Sequence, residues 1–276
     1  MRPSHHVQGF TLIETIMVIV ITGIIGGMVA IFIKAPVDAY FDSARRAALT
    51  DVADTAVRRM SRDIRKALPN SVRTPTTTPA NQCIEFIPTK TGGRYRAETD
   101  SAGAGDILNF TAADTSFDML GLNSAPPLPT DQQIAVADVI AVYNLGAGIN
   151  DAFAGDNIAT VSSVAAGSLP NETKINITPK QFPLASGSNR FHVIPKDEKV
   201  VAFVCSGGNL YRTASPTFSS DCPITGAILA NNVSACNFVY NGSDLQRNAL
   251  VQLTVKFTDS DETVSLYHEV HVNNTP

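Results

Sequence analysis

No tryptophan occurs in this 276-residue chain, and aromatic residues make up only 7% of it. A carbohydrate-binding surface built on exposed rings therefore lacks its material. Charged residues are 17% of the chain and the net charge is −4, so a nucleic-acid partner held by phosphate contacts is not expected. There is no G-x-S-x-G, no H-E-x-x-H and no phosphate-binding glycine loop. Beyond the first nine residues the histidines are His192, His268 and His271. The last two lie three apart on a predicted strand, so they face opposite sides and do not share a metal. Asp100, Asp106 and Asp114 fall in loop-like sequence without the order of a calcium loop, and they read as loop acids. No catalytic residue, cofactor or metal site is expected.

Against that background one stretch stands out. From Phe10 to Ile33 run 24 residues of which Glu14 alone is charged. As a helix they would extend roughly 36 Å, enough to cross a bilayer. A charged residue at the centre of such a span costs about 2.5–3.5 kcal/mol on insertion scales and marks a function with a partner. Glu14 sits near the end of the span, where the cost is lower but still unfavourable. A secretory signal peptide would have a shorter apolar core and a small-residue cleavage site after it. Here Lys34 and Pro36 follow instead. On hydropathy alone the run reads as an uncleaved signal anchor.

The order Gly9, Phe10, then Glu14 at the head of a long apolar run resembles the type IV prepilins and the pseudopilins of type II secretion. The resemblance implies cleavage by a prepilin peptidase between Gly9 and Phe10 and N-methylation of Phe10. It also implies that Glu14 pairs with the N-terminal amine of a neighbouring subunit. A buried charge persists only when paired, so such a glutamate would favour the assembled helix over the isolated one. N-terminus in, C-terminus out follows from the resemblance, because Arg2 is the one fixed positive side chain before the span while Lys34, Arg45 and Arg46 follow it.

After Pro36 the pattern stays helical. Phe41, Ala44, Ala48, Val52, Ala56, Met60, Ile64 and Leu68 recur at spacings of three and four, and Pro69-Asn70-Ser71 ends the run. A kink is expected at Pro36, with a break before it. The whole element, Thr11 to Leu68, would be about 87 Å if straight. The arginines off the stripe could be a lipid or nucleic-acid patch. The interleaved Asp51, Asp54 and Asp63 favour a solvated face with pairs such as Asp54–Arg58. Residues 40–47, 59–65 and 67–73 are similar to the MshO-type minor pilins of MSHA pilus systems, which are related to the J-type pseudopilins. The likeness extends to 83–87, to 92–96 and to the last seventy residues.

The expected fold class is α+β and pilin-like. It has a leader at 1–9, a transmembrane half-helix at 10–33, an amphipathic half at 34–70 and a β-rich periplasmic or extracellular head at 71–276. The stretch Thr74–Pro79 reads as a loop. Strands are expected at 83–88, 107–110, 134–143, 159–164, 200–205, 210–213, 237–240, 250–257 and 264–272. The last of these form an antiparallel meander with one face on the helix stripe. Cys83, Cys205, Cys222 and Cys236 all fall in the head. No two are spaced for a redox motif or a metal, and an even count outside the cytoplasm reads as two disulfides. Of three connectivities, Cys205–Cys222 with Cys83–Cys236 is the expected one.

Two functions fit: an assembly subunit at or near the tip of an MSHA-type pilus, or an anchored binding head acting as a tip adhesin or substrate-contacting module. A minor pseudopilin of a type II secretion system is a further alternative. The resemblance implies as partners the prepilin peptidase, the major and other minor pilins, and the inner-membrane assembly platform. It places the chain in the inner membrane first and in a surface fibre or pseudopilus afterwards.

Overall fold

The computed structural model describes residues 9–76, 82–124, 128–219, 222–242 and 248–276. The leader's Arg2, His5 and His6, and the second half of the loop expected at Thr74–Pro79, lie outside the described residues. The architecture is α+β and pilin-like: one long N-terminal apolar helix, then antiparallel sheets. The chain divides into two compact units, Met1–Leu49 and Thr50–Pro276.

Helix α1 runs Leu12–Ile64. It passes through Pro36 without the expected break. Proline removes one helical hydrogen bond, and the helical turns on either side of it hold the remainder. In the first unit nearly every side chain from Phe10 to Ala48 is exposed, including Ile13, Ile21 and Phe32. From Phe10 to Ile33 it is apolar apart from Glu14. It is also the one described helix long and apolar enough to cross a membrane.

In the second unit the buried stripe of α1 is Ala53, Ala56, Val57, Met60 and Ile64. Phe41, Ala44, Ala48 and Val52, expected on that stripe, are exposed. A row at every fourth residue drifts around a helix of 3.6 residues per turn, so contact passes from the Val52 row to Ala53 and Val57. The turn after Ile64 ends in Leu68, whose N–H donates to the Ile87 carbonyl at 2.8 Å. Asp54–Arg58 is an ion pair at 2.7 Å, as the solvated reading of this face requires.

Among the described residues thirteen strands make three sheets. β1 (Cys83–Phe86), β8 (Val200–Ser206), β9 (Asn209–Ser215) and β10 (Ala227–Ala230) form one, in that order. The β8–β9 hairpin turns on Gly207 and Gly208, both with positive φ, as a two-residue turn of this hand requires. Arg212 on β9 makes a bidentate pair with Glu198 at 2.9 and 3.0 Å and reaches Asp63 of α1 at 2.8 Å. Hydrogen bonding to Glu198, then to Asp63, outweighs burial and raises the Arg212 pKa further.

A second sheet is the meander β11 (Val233–Asn241), β12 (Asn248–Asp259) and β13 (Glu262–Asn273). On β12 every second residue is buried: Ala249, Val251, Leu253, Val255 and Phe257. Residues 54–65 of α1 and Leu266–His268 of β13 line one cleft, so this sheet flanks the helix. Asn274 closes the end: its Oδ1 accepts from the Asn70 N–H at 3.1 Å, and its side-chain amide donates to the Tyr240 hydroxyl at 2.9 Å.

The third sheet holds β2 (Thr91–Arg94), β3 (Asp114–Leu120), β4 (Val139–Val142), β5 (Ile158–Ala166), β6 (Glu172–Lys180) and β7 (Arg190–Ile194). Its order is β2-β7-β4-β5-β6-β3. It bends round on itself. Tyr95, just past β2, bridges Met119 of β3, and the Arg96 N–H donates to the Asp118 carbonyl at 2.8 Å. Gly93 permits this closure, because a Cβ there would lie 2.8 Å from the Met119 sulfur and 2.9 Å from the Phe191 ring. Inside lie Ile140, Val142, Phe117, Phe191, Val193, Ile175 and Tyr95. The alternate residues Val139, Ala141 and Ile194 face outward onto Leu68, Ile87 and Val200.

The strands expected at 107–110 and across 134–143 need correction. Ile107–Phe110 is irregular: the Leu108 N–H bonds the Arg96 carbonyl and the Asn109 N–H is held by Asp114 at 2.7 Å. Only Val139–Val142 of the second is strand, since Ala137 takes positive φ and Asp138 folds back on the Ala135 N–H.

The disulfides are Cys83–Cys222 and Cys205–Cys236, not the expected Cys205–Cys222 and Cys83–Cys236. Register gives the reason. Cys83 pairs directly with Val204, so the two side chains share a face of the sheet and Cys205, one residue on, takes the other face. Cys222 packs with Cys83, Ala202 and Val204 on the first face. Cys236 meets Cys205 on the second, with Cα atoms 6.3 Å apart.

Candidate functional site

The sequence points to the start of α1, and there the side chains form a local hydrogen-bonded arrangement. Thr11 precedes the first helical residue, Leu12, and Glu14 is the third position of the helix. The Thr11 backbone N–H and its Oγ1–H both donate to Glu14 Oε2 at 3.0 Å. In return the Glu14 N–H donates to Thr11 Oγ1 at 3.3 Å. This is a capping box, signalled in the sequence by Thr-x-x-Glu. It satisfies two of the free N–H groups of the helix start and sets a carboxylate at the positive end of the helix dipole.

Glu14 Oε1 accepts no hydrogen bond among the described residues. Phe10, directly before the cap, is 85% exposed, and Leu12 is 81% exposed. The carboxylate therefore has one oxygen engaged within its own chain and one available, four residues after Phe10. Farther along, Gly23 and Gly27 stand four apart, and a Cβ on either would meet nothing within 4 Å. In an apolar helix such spacing lets a second helix approach closely.

The other residues singled out by sequence lie elsewhere. The four cysteines are all disulfide-bonded. Among the described residues one group of three metal-type side chains converges, Cys83, Glu85 and Cys222, but its two sulfurs are joined to each other and offer no thiolate. Glu85 is fully buried and paired with Arg73, whose guanidinium lies 3.5 Å from the centre of the Phe153 ring. The loop acids are taken up locally. Asp100 accepts from the Ala102 and Ala104 N–H groups, Asp106 pairs with Lys174 at 3.1 Å, and Asp114 holds the Asn109 N–H. His192 is half-buried on β7 with Nε2 buried and unpartnered. Burial, then the nearby Arg190 charge, lowers its pKa to about 4. His268 and His271 are on β13, three residues apart.

Comparison with known proteins bears on this same region. No curated protein and no solved structure matches the chain. Residues 4–30 match the family described as Prokaryotic N-terminal methylation motif. Members of that family are structural subunits, and the motif implies processing by a prepilin peptidase and assembly with other pilins. The capped start of α1, its exposed apolar length and the match over residues 4–30 coincide: the chain carries a type IV prepilin-like N-terminal methylation motif.

Proposed function

We propose that the chain is a minor, pseudopilin-like subunit of a type IV filament, cut between Gly9 and Phe10 and N-methylated at Phe10. Residues 10–33 hold it in the inner membrane and then in the filament core. Residues 34–70 carry the second half of α1, which ends at Ile64, and the head, 71–276, lies outside the cytoplasm. The observation that carries this reading is the state of Glu14, a carboxylate within a few residues of the cleavage point with one oxygen still open. Cleavage would create an ammonium at Phe10, and the open oxygen suits the ammonium of an adjacent subunit. The likeness of residues 40–47, 59–65 and 67–73 to MshO-type sequences supports an MSHA-type system and, by the relation to J-type pseudopilins, a place at or near the tip.

The test is to express the chain with its prepilin peptidase and pilus machinery, then read the mature N-terminus by mass spectrometry. A mature N-terminal N-methylphenylalanine at residue 10 is expected. Glu14→Ala should still be cut and anchored but should be lost from sheared filaments. Normal incorporation of Glu14→Ala would sink the assembly role, and an intact Met1–Gly9 would sink the processing.

A second reading is favoured by the closed six-stranded sheet, which is inserted between β1 and β8 of the head. In it the head binds a ligand, as a tip adhesin or as the substrate contact of a secretion pseudopilus. Deleting the chain distinguishes the two. Loss of all filaments marks an assembly factor, and filaments that persist without adhesion or secretion mark a binding module.

A further inference from the structure

The outer edge of β13 is an open template. Among the described residues no strand pairs with it, and its twelve-residue ladder with β12 runs from Asn248↔Asn273 to Asp259↔Glu262 without a register shift. Its sequence, Glu262 to Asn273, has no proline and no lysine, the usual blocks on an exposed edge. The two-residue turn Ser260-Asp261, with Ser260 at φ 53°, fixes which backbone groups face out. In such a hairpin the closing pair exchanges both hydrogen bonds. The N–H and C=O groups of Thr263, Ser265, Tyr267, Glu269 and His271 therefore point away from β12.

The inner face beside this edge is unfinished. Phe257, Val255 and Leu253 of β12 are fully buried, yet their partners Val264, Leu266 and His268 remain partly open. Next to them is a cleft of about 570 Å³ walled by Val57, Ser61, Arg62 and Arg65 of α1 with Leu266 and His268 of β13. Arg62 and Arg65 enter no ion pair among the described residues, whereas Arg58 is held by Asp54.

We propose that this edge and cleft form a docking site for an extended segment of another protein, added as a fourth strand with aliphatic and acidic side chains facing inward. The backbone of the segment would complete the ladder on β13. Its aliphatic groups would cover Val264 and Leu266, and its carboxylates would meet Arg62 and Arg65. A second copy of this chain fits less well. Edge-to-edge pairing of two β13 strands would bring two sets of these arginines together, and from Val264 to Val272 the inward positions supply no carboxylate.

The test uses the full chain in detergent micelles and a peptide of about nine residues, with valine and glutamate alternating at inward positions and threonine between. A lysine-for-glutamate peptide is the control. Binding of the glutamate peptide is expected, with slowed hydrogen exchange at the outward amides of 263, 265, 267, 269 and 271. Ser265→Pro removes one outward N–H without cutting the β12 ladder, and it should weaken binding about tenfold with the melting temperature unchanged. Arg62→Glu with Arg65→Glu should reverse the preference to the lysine peptide. The proposal is overturned by no binding at about 1 mM peptide. It is also overturned by equal binding of both peptides, or by wild-type affinity in Ser265→Pro. Concentration-dependent protection of these amides without any peptide would assign the edge to a second copy instead.

Discussion

The meander β11–β13 and the six-stranded sheet β2-β7-β4-β5-β6-β3 are both antiparallel, yet they treat their edges in opposite ways. The larger sheet curls until Tyr95 meets Met119, so its inner face becomes a sealed core. The meander stays open along β13 and leaves its inner face partly uncovered there. The difference shows what each element can spare. A sheet curled until its ends meet through the Tyr95–Met119 bridge supplies its own core. An open one leans on the helix and retains hydrogen-bonding capacity for something else.

Disulfide removal should give the largest effect. The Cys83–Cys222 bridge spans 139 residues, including the whole six-stranded sheet, whereas Cys205–Cys236, which ties β8 to the meander, spans 31. From chain entropy, replacing the first pair by alanine should cost about 5 kcal/mol and the second about 4 kcal/mol. Denaturant midpoints of the two double mutants measure this. A loss from the first smaller than from the second would mean that the closed sheet keeps its own ends together in the unfolded reference state.

Core truncation should follow. Phe191 is sealed against Phe117 at a ring distance of 5.3 Å, so Phe191→Ala should cost about 4 kcal/mol. Leu266, on the half-open face of β13, should cost only about 1 kcal/mol as Leu266→Ala. Equal losses in denaturation curves would erase the distinction between the closed and open sheets.

A smaller effect is expected from pH. The folded pKa of His192 is about 4, against an ordinary value of 6.5. Below pH 6.5 the unfolded chain takes up a proton that the folded chain refuses until about pH 4. Stability is thus complete above 6.5 and falls across that window by about 3 kcal/mol. His192→Gln should flatten this part of the pH profile, and an unchanged profile would remove His192 as its source.

The same contrast explains what could be read from sequence. On β12 buried and solvated residues alternate cleanly, and the expected strand at 250–257 lies within Asn248–Asp259. In the closed sheet the alternation is broken by bulges at Asp114/Ser116 and Val161/Ser163. Its short β2, Thr-Gly-Gly-Arg, has no apolar residue at all. The sequence pattern predicts β5, β8, β9 and β11 but not β2, β3, β6, β7 or β10. The cysteine pairing depended on which face of β8 each sulfur takes, and no spacing carries that. At the candidate site Glu14 was legible from its charge in an apolar run. Its intrachain partner is also written there, as Thr-x-x-Glu, although the same residues open an apolar run that by itself signals a membrane span.

One consequence of the strand order concerns how such a head can change over generations. β1 and β8 are immediate neighbours, Phe86 opposite Val201, and the six-stranded sheet leaves and rejoins them through Thr91 and Val193, which are themselves paired. Its departure and return points thus lie side by side. A lineage could enlarge, shrink or exchange this cassette through one junction while the register of β1 on β8 stayed fixed.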